Sequence, residues 1–130
     1  MVGLFGKTPK FTDSKDSVKK YKEFKKLLKD KKYPEALASG LSLLESVPHH
    51  HDALFMVGSI YYLKENYKTA LSYLDRSLDI GAYDIDALLL KAYSHQKISE
   101  NKHAISCCDK IKEIDPKNKS VSQLLEQLET

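Results

Sequence analysis

The sequence predicts an all-α chain made of antiparallel helix pairs stacked side by side, and three observations carry that reading. First, a block recurs at a constant offset of 34 residues: Lys31 to Leu37, Glu65 to Leu71 and Ser99 to Ile105 align, with alanine at 36, 70 and 104. The same offset carries Glu45, Asp79 and Glu113, then Pro48, Ala82 and Pro116. Second, the apolar residues inside each period follow helical spacing, with Leu54, Val57, Gly58 and Tyr61 in one segment and Ala70, Leu71, Leu74 and Leu78 in the next. Third, turn residues punctuate the periods where helices must start and stop.

Taken in order, helices are expected near 15–30, 34–46, 52–64, 67–80, 85–98, 101–114 and 119–129, joined by about three to five residues. The first is lysine-rich and follows a stretch that Gly3, Gly6, Pro9 and Thr12-Asp13-Ser14 mark as irregular. The second opens at Pro34, where a missing N–H is tolerated, and Pro48 stops it. The third presents Leu54, Val57, Gly58 and Tyr61 on one face, and the fourth presents Ala70, Leu71, Leu74 and Leu78 before Gly81, which is placed as a left-handed C-terminal cap. The fifth opens the third period and carries the small Ala92; the sixth repeats Ala104 and Ile105 and ends before Pro116. The last should turn Val121, Leu124, Leu125 and Leu128 inward and leave Ser122, Glu126 and Glu129 in water, which is the polar outer face a terminal helix needs. No single pair can bury its apolar face. Stacking supplies the core, with alanines and Gly58 allowing close backbone approach while Tyr61, Leu74 and Leu78 fill the space between layers.

The chain resembles the tetratricopeptide repeat family. The middle copy, counted from His51, fits best, with Leu54, Val57, Gly58, Tyr61, Ala70, Leu74 and Ser77 at the characteristic places and Ala82 replacing the usual proline. The third copy keeps Leu88, Ala92, Ala104 and Pro116 but has Lys91 and His95 at two large-residue positions. The first keeps Tyr33, Ala36, Leu43 and Pro48, yet Lys20, Glu23 and Phe24 stand where large, leucine and glycine residues are expected. The resemblance implies a right-handed α-solenoid over residues 15–130, with repeats at about 17–50, 51–84 and 85–118, a capping helix at 119–129, and an irregular arm at 1–14.

In that family the first helix of each pair lines a concave face. Carried over by position, the lining draws on Val18, Tyr21, Lys25, Leu28 and Lys29, then Asp52, Phe55, Ser59, Tyr62 and Leu63, then Asp86, Leu89, Tyr93, Gln96 and Lys97. Apolar and aromatic groups at open positions mark a contact surface. The candidate peptide-binding set is therefore Tyr21, Lys25, Phe55, Met56, Ser59, Tyr62, Leu89, Tyr93 and Gln96, with the tyrosines and Phe55 as anchors and some leucines equally suited to sealing the layers. The family's carboxylate clamp for acidic chaperone tails has Tyr21, Lys25, Met56, Asp86 and Leu90 at its positions here. Asp86 would repel the carboxylates, so a chaperone-tail adaptor is not expected.

Composition sets the outer bounds. With 130 residues, 42% hydrophobic and 30% charged, the chain has room for one domain. Its longest mostly apolar stretch, Ala53 to Leu63, is too short to span a bilayer, and the N-terminus has no secretory pattern, so a cytoplasmic location is expected. Charge is uneven: residues 1–32 hold eleven lysines against four acids, a balance of +7, whereas the remaining ten basic and fourteen acidic groups balance to −4. The adjacent Cys107 and Cys108 read as reduced thiols, Cys108 as a core residue and Cys107 as more exposed. His49-His50-His51 lack the spacing of a metal site and read as a polar turn. No phosphate loop, nucleophile elbow or redox pair is present, so neither a cofactor nor catalysis is expected.

Function then reads as a protein-interaction module whose groove takes a peptide, a helix or the chain's own arm through Leu4, Phe5 and Phe11, which in trans would build a homo-oligomer. The alternative is an electrostatic tether in which the lysines of the first helix hold nucleic acid or an anionic surface. Those lysines read as scattered around the helix without stacking aromatics among them, which favours the interaction module and makes nucleic acid the weaker partner.

Overall fold

The computed structural model describes residues 14–130, so the arm and its Leu4, Phe5 and Phe11 lie outside the described residues. Among the described residues the chain is entirely helical: α1 Lys15–Lys29, α2 Tyr33–Ser46, α3 His51–Leu63, α4 Tyr67–Ile80, α5 Ile85–Lys97, α6 Asn101–Ile114 and α7 Lys119–Glu129. Consecutive helices pack as antiparallel neighbours from one end to the other, so the chain forms a solenoid of stacked pairs closed by α7.

Short polar side chains start most of these helices. Ser14 accepts from the Ser17 N–H at 3.1 Å, Asp84 from Ala87 at 3.2 Å and Asn118 from Val121 at 2.9 Å. The odd helices α1, α3 and α5 end alike. Lys31, Glu65 and Ser99, spaced by the repeat length, take left-handed φ values of 58°, 63° and 63°. In each turn the next N–H reaches back across six residues, Lys32 to the Leu27 carbonyl at 2.9 Å, Asn66 to Tyr61 at 2.9 Å and Glu100 to His95 at 2.8 Å, completing the same C-terminal cap three times. Gly81 does not serve as such a cap: its φ is −123°. Its value is space, because a Cβ there would sit 2.8 Å from His51 Nε2.

Two apolar clusters form the core. Phe24, Ala36, Leu43, Leu44, Ala53, Leu54, Val57 and Ile60 fill the first, and Leu88, Ala92, Cys107, Cys108, Ile111, Val121 and Leu124 the second. Ala70 and Leu74 are fully buried as well. The departure of the first copy from the repeat pattern is compensated within its own pair. Phe24 occupies the place of Gly58 and Ala92, and Gly40 occupies the place of Leu74 and Cys108. Large and small have changed helices. A Cβ on Gly40 would meet Phe24 Cζ and Val57 Cγ2 at 2.8 Å, so the ring fills the volume that a leucine claims one repeat later. In α7, Val121 and Leu124 are buried and Leu125 and Leu128 partly so, with Ser122, Glu126 and Glu129 exposed.

Candidate functional site

Helical spacing places Phe55, Ser59 and Tyr62 of α3 on one face and Leu89 and Tyr93 of α5 on the facing one. Together with Leu63, Asp86 and Leu90 they line an open groove of about 390 Å³. Its walls are almost wholly apolar, because the Ser59 hydroxyl donates to the Phe55 carbonyl at 2.9 Å and is already satisfied. Leu63 is 57% exposed at the rim. Tyr62 stands edge-on to Tyr67, with ring centroids 5.3 Å apart, and burial raises its hydroxyl above the ordinary tyrosine value. Asp86, in the first turn of α5, is the groove's one charged side chain.

Four members of the sequence-derived set lie elsewhere. Tyr21 joins α1 to α3: its hydroxyl donates to Asp52 Oδ2 at 2.8 Å, and its ring lies 4.5 Å from that of His50. Burial, then the hydrogen bond and charge of Asp52, push that hydroxyl up to about 12. Lys25 holds its ammonium 4.3 Å from the centre of the same ring. Met56 packs against the first core cluster, because the position after Phe55 turns a helical side chain away from the groove. Gln96 donates to Gln127 Oε1 at 3.1 Å and ties α5 to α7. Leu63, Asp86 and Leu90 also line the groove without belonging to that set: repeat position places Leu63 and Asp86 on the concave lining, whereas Leu90 stands only at a position of the carboxylate clamp.

The remaining candidates have structural neighbours of their own. His50 Nδ1 accepts from the Ala53 N–H at 3.2 Å and caps α3, while His51 Nε2 lies 3.3 Å from Asp84 Oδ2. Among the described residues no group of three histidine, cysteine or carboxylate side chains could hold a metal ion. Cys107, expected to be the more exposed thiol, is only 8% exposed. Helix α6 is covered by α5 on one side and α7 on the other, so two adjacent positions both turn inward. Burial raises both thiols, Cys108 to about 11, which leaves them poor nucleophiles.

The lysines of α1 are not scattered. Phe24 and Ser17 mark its buried face, Lys20 reaches Asp16 at 3.5 Å and Ser46 at 3.3 Å, and Lys25 lies over Tyr21. The other five, Lys15, Lys19, Lys22, Lys26 and Lys29, recur at alternating intervals of four and three residues and are all exposed. They form one stripe on the open side of the helix.

The family model for anaphase-promoting complex, cyclosome, subunit 3 matches residues 27–118. No curated protein matches the chain. Several solved structures share its fold. The first tetratricopeptide-repeat domain of Spaghetti (RPAP3), bound to the HSP90 peptide SRMEEVD, superposes with a TM-score of 0.83 at 16% identity, covering 91% of this chain and 94% of that one. The Arabidopsis OM64 domain gives 0.82 at 12% identity over 90% and 97%, and the Sgt2 domain of Aspergillus fumigatus gives 0.79 at 15% over 94% and 83%. Among the described residues no helix is long and apolar enough to cross a membrane. With the matched segment, the threefold turn and the stacked pairs in agreement, the chain belongs to the tetratricopeptide-repeat proteins, in the family of anaphase-promoting complex, cyclosome, subunit 3.

Proposed function

We propose that the chain works without catalysis as a protein-interaction module, a scaffold or adaptor that holds an apolar peptide or short helix between α3 and α5. The groove walled by Phe55, Tyr62, Leu63, Leu89, Leu90 and Tyr93 carries this reading. Open apolar surface that stays in water is costly, and aromatic side chains fixed on helices concentrate binding energy at small entropic cost. The ligand in the Spaghetti complex is the acidic HSP90 peptide SRMEEVD. Here Asp86 stands at the groove and Asp52 nearby in α3, so the favoured occupant is aliphatic or aromatic with a neutral or basic flank. Residues 1–12 of a second copy, with Leu4, Phe5 and Phe11 beside Lys7 and Lys10, have that chemistry.

Selection of random peptides on the full chain tests the proposal. Selected binders should be rich in apolar side chains, and Tyr62→Ala should weaken them about thirtyfold, as expected when an aromatic anchor worth about 2 kcal/mol is lost. Leu63→Asp, at an exposed rim position, should weaken them without unfolding the chain. Binders that are acidic and indifferent to both changes would refute it.

A further inference from the structure

The open side of α1 is a second surface, separate from the groove, and its chemistry is the opposite. We infer that this face docks on an anionic membrane surface, with the headgroups of acidic phospholipids as the occupant. Lys15, Lys19, Lys22, Lys26 and Lys29 point away from the face that buries Ser17 and Phe24, so all five side chains can be presented together to a plane. From Lys15 to Lys29 the row runs for about 20 Å at the helical rise of 1.5 Å per residue. The acids stand beside it and not on its centre line: Asp16 and Glu23, seven residues apart, share the neighbouring flank, where Lys20 holds Asp16, and Asp30 meets Lys26 at 3.7 Å beyond the helix's last residue. Lys31 and Lys32, both exposed, extend the positive charge past that end.

Three features favour lipid over nucleic acid. The stripe consists of lysines, point charges that suit freely rearranging headgroups, and contains no arginine to grip phosphates or base edges with a two-pronged geometry. It has no aromatic ring for base stacking, because Tyr21 is bonded to Asp52 and Phe24 is buried. Val18, 44% exposed, lies with Lys15, Lys19 and Lys22 around a shallow apolar depression formed with the lysine stems. Apolar stems beneath charged tips suit the headgroup boundary, where lysines reach up to phosphate while their methylenes leave water. A basic helical face of this length gathers acidic lipids by charge, and each lysine near the surface tightens binding about fivefold.

The test is sedimentation of the full chain with vesicles of phosphatidylcholine alone and of phosphatidylcholine mixed with phosphatidylserine. Binding should require phosphatidylserine and fall steeply as salt rises. Changing Lys15, Lys19, Lys22, Lys26 and Lys29 to glutamine should abolish it at lipid concentrations that saturate the unaltered chain. A charge-matched control changes Lys64, Lys68, Lys97, Lys102 and Lys117, all exposed elsewhere, and should bind like the parent. Circular dichroism melting of both variants checks that each is folded. Equal loss in the control would make net charge the cause and overturn the stripe. Binding to phosphatidylcholine alone, or displacement from vesicles by a short oligonucleotide at lower charge concentration than soluble anionic lipid, would overturn the lipid assignment.

Discussion

Replacing Gly40 by alanine tests the exchange of large and small residues in the first pair. A mid-helix Gly→Ala change should gain about 1 kcal/mol from helix propensity alone. At Gly40 the new Cβ would lie 2.8 Å from Phe24 Cζ, 2.8 Å from Val57 Cγ2 and 2.9 Å from Phe24 Cε1. Phe24 and Val57 are fully buried, so neither has room to retreat. Forced shifts of this kind in a packed core cost about 1–3 kcal/mol, with the upper part of that range expected where the clash is two-sided, so Gly40→Ala should destabilise by about 1 kcal/mol net. Gly58→Ala is the internal control. Its nearest contact is Leu74 Cγ at 3.2 Å, and Ala92 already stands at the equivalent place, so that change should be near neutral. Phe24→Ala should cost about 3–5 kcal/mol through the cavity it leaves. Combining it with Gly40→Leu rebuilds the small-large order of Gly58 and Leu74 and should recover about 2 kcal/mol of that loss through coupling. Urea unfolding followed by circular dichroism reads these four proteins together with the parent and the Gly40→Leu single variant that closes the cycle. Equal tolerance at Gly40 and Gly58, or strict additivity in the double variant, would refute the packing argument.

Glu65→Gly should raise stability by about 0.5–1 kcal/mol, since the left-handed backbone at φ 63° strains a side-chain-bearing residue more than glycine's extra unfolded entropy costs; Glu65→Val should lower it, and urea midpoints compare the three. Cys107 and Cys108 should react with a thiol reagent far more slowly in the native chain than in urea, as burial and raised thiol values both suppress thiolate. The sign for pH follows from the same shift. Unfolded thiols ionise near pH ~8.5 while Cys108 keeps its proton to about 11, so its contribution is complete below the first value and is lost as pH rises between them. Cys108→Ala should flatten that alkaline fall in the urea midpoint. If the arm of one copy fills the groove of the next, light scattering should report an oligomer for the full chain and a monomer after removal of residues 1–12; the same mass for both would contradict arm-mediated assembly.

Much of the fold was legible because repetition imposes the same physics three times. Ala36, Ala70 and Ala104 share one environment, all fully buried, and their spacing located every pair. Helix ends expected at 30, 64 and 98 fall one residue earlier, since Asp30, Lys64 and Ile98 are the caps that lead into the left-handed residues Lys31, Glu65 and Ser99. What the pattern concealed was compensation between positions. Phe24 reads as a misfit until Gly40 is seen across from it, and that partnership is a distance that no periodicity contains. Gly81 reads as a cap because glycine often is one, whereas lysine, glutamate and serine take the left-handed turns. In the groove, position along the repeat grouped Phe55, Ser59, Tyr62, Leu89 and Tyr93, and these residues line one surface. It did not foresee that Tyr21 is engaged by Asp52 or Gln96 by Gln127, because those bonds depend on neighbours 31 residues away. The stripe on α1 was missed for a related reason: seven lysines look evenly spread until the buried face assigns two of them to contacts within the fold.

The most direct measurement for the proposed function is amide chemical-shift mapping of the full chain titrated with a selected apolar peptide. Binding in the groove predicts shifts that converge on Phe55, Ser59, Tyr62, Leu63, Leu89 and Tyr93 and leave Lys15, Lys19 and Lys22 unmoved. Shifts centred on α1, or spread over the outer helices α2, α4 and α6 with the groove silent, would contradict it.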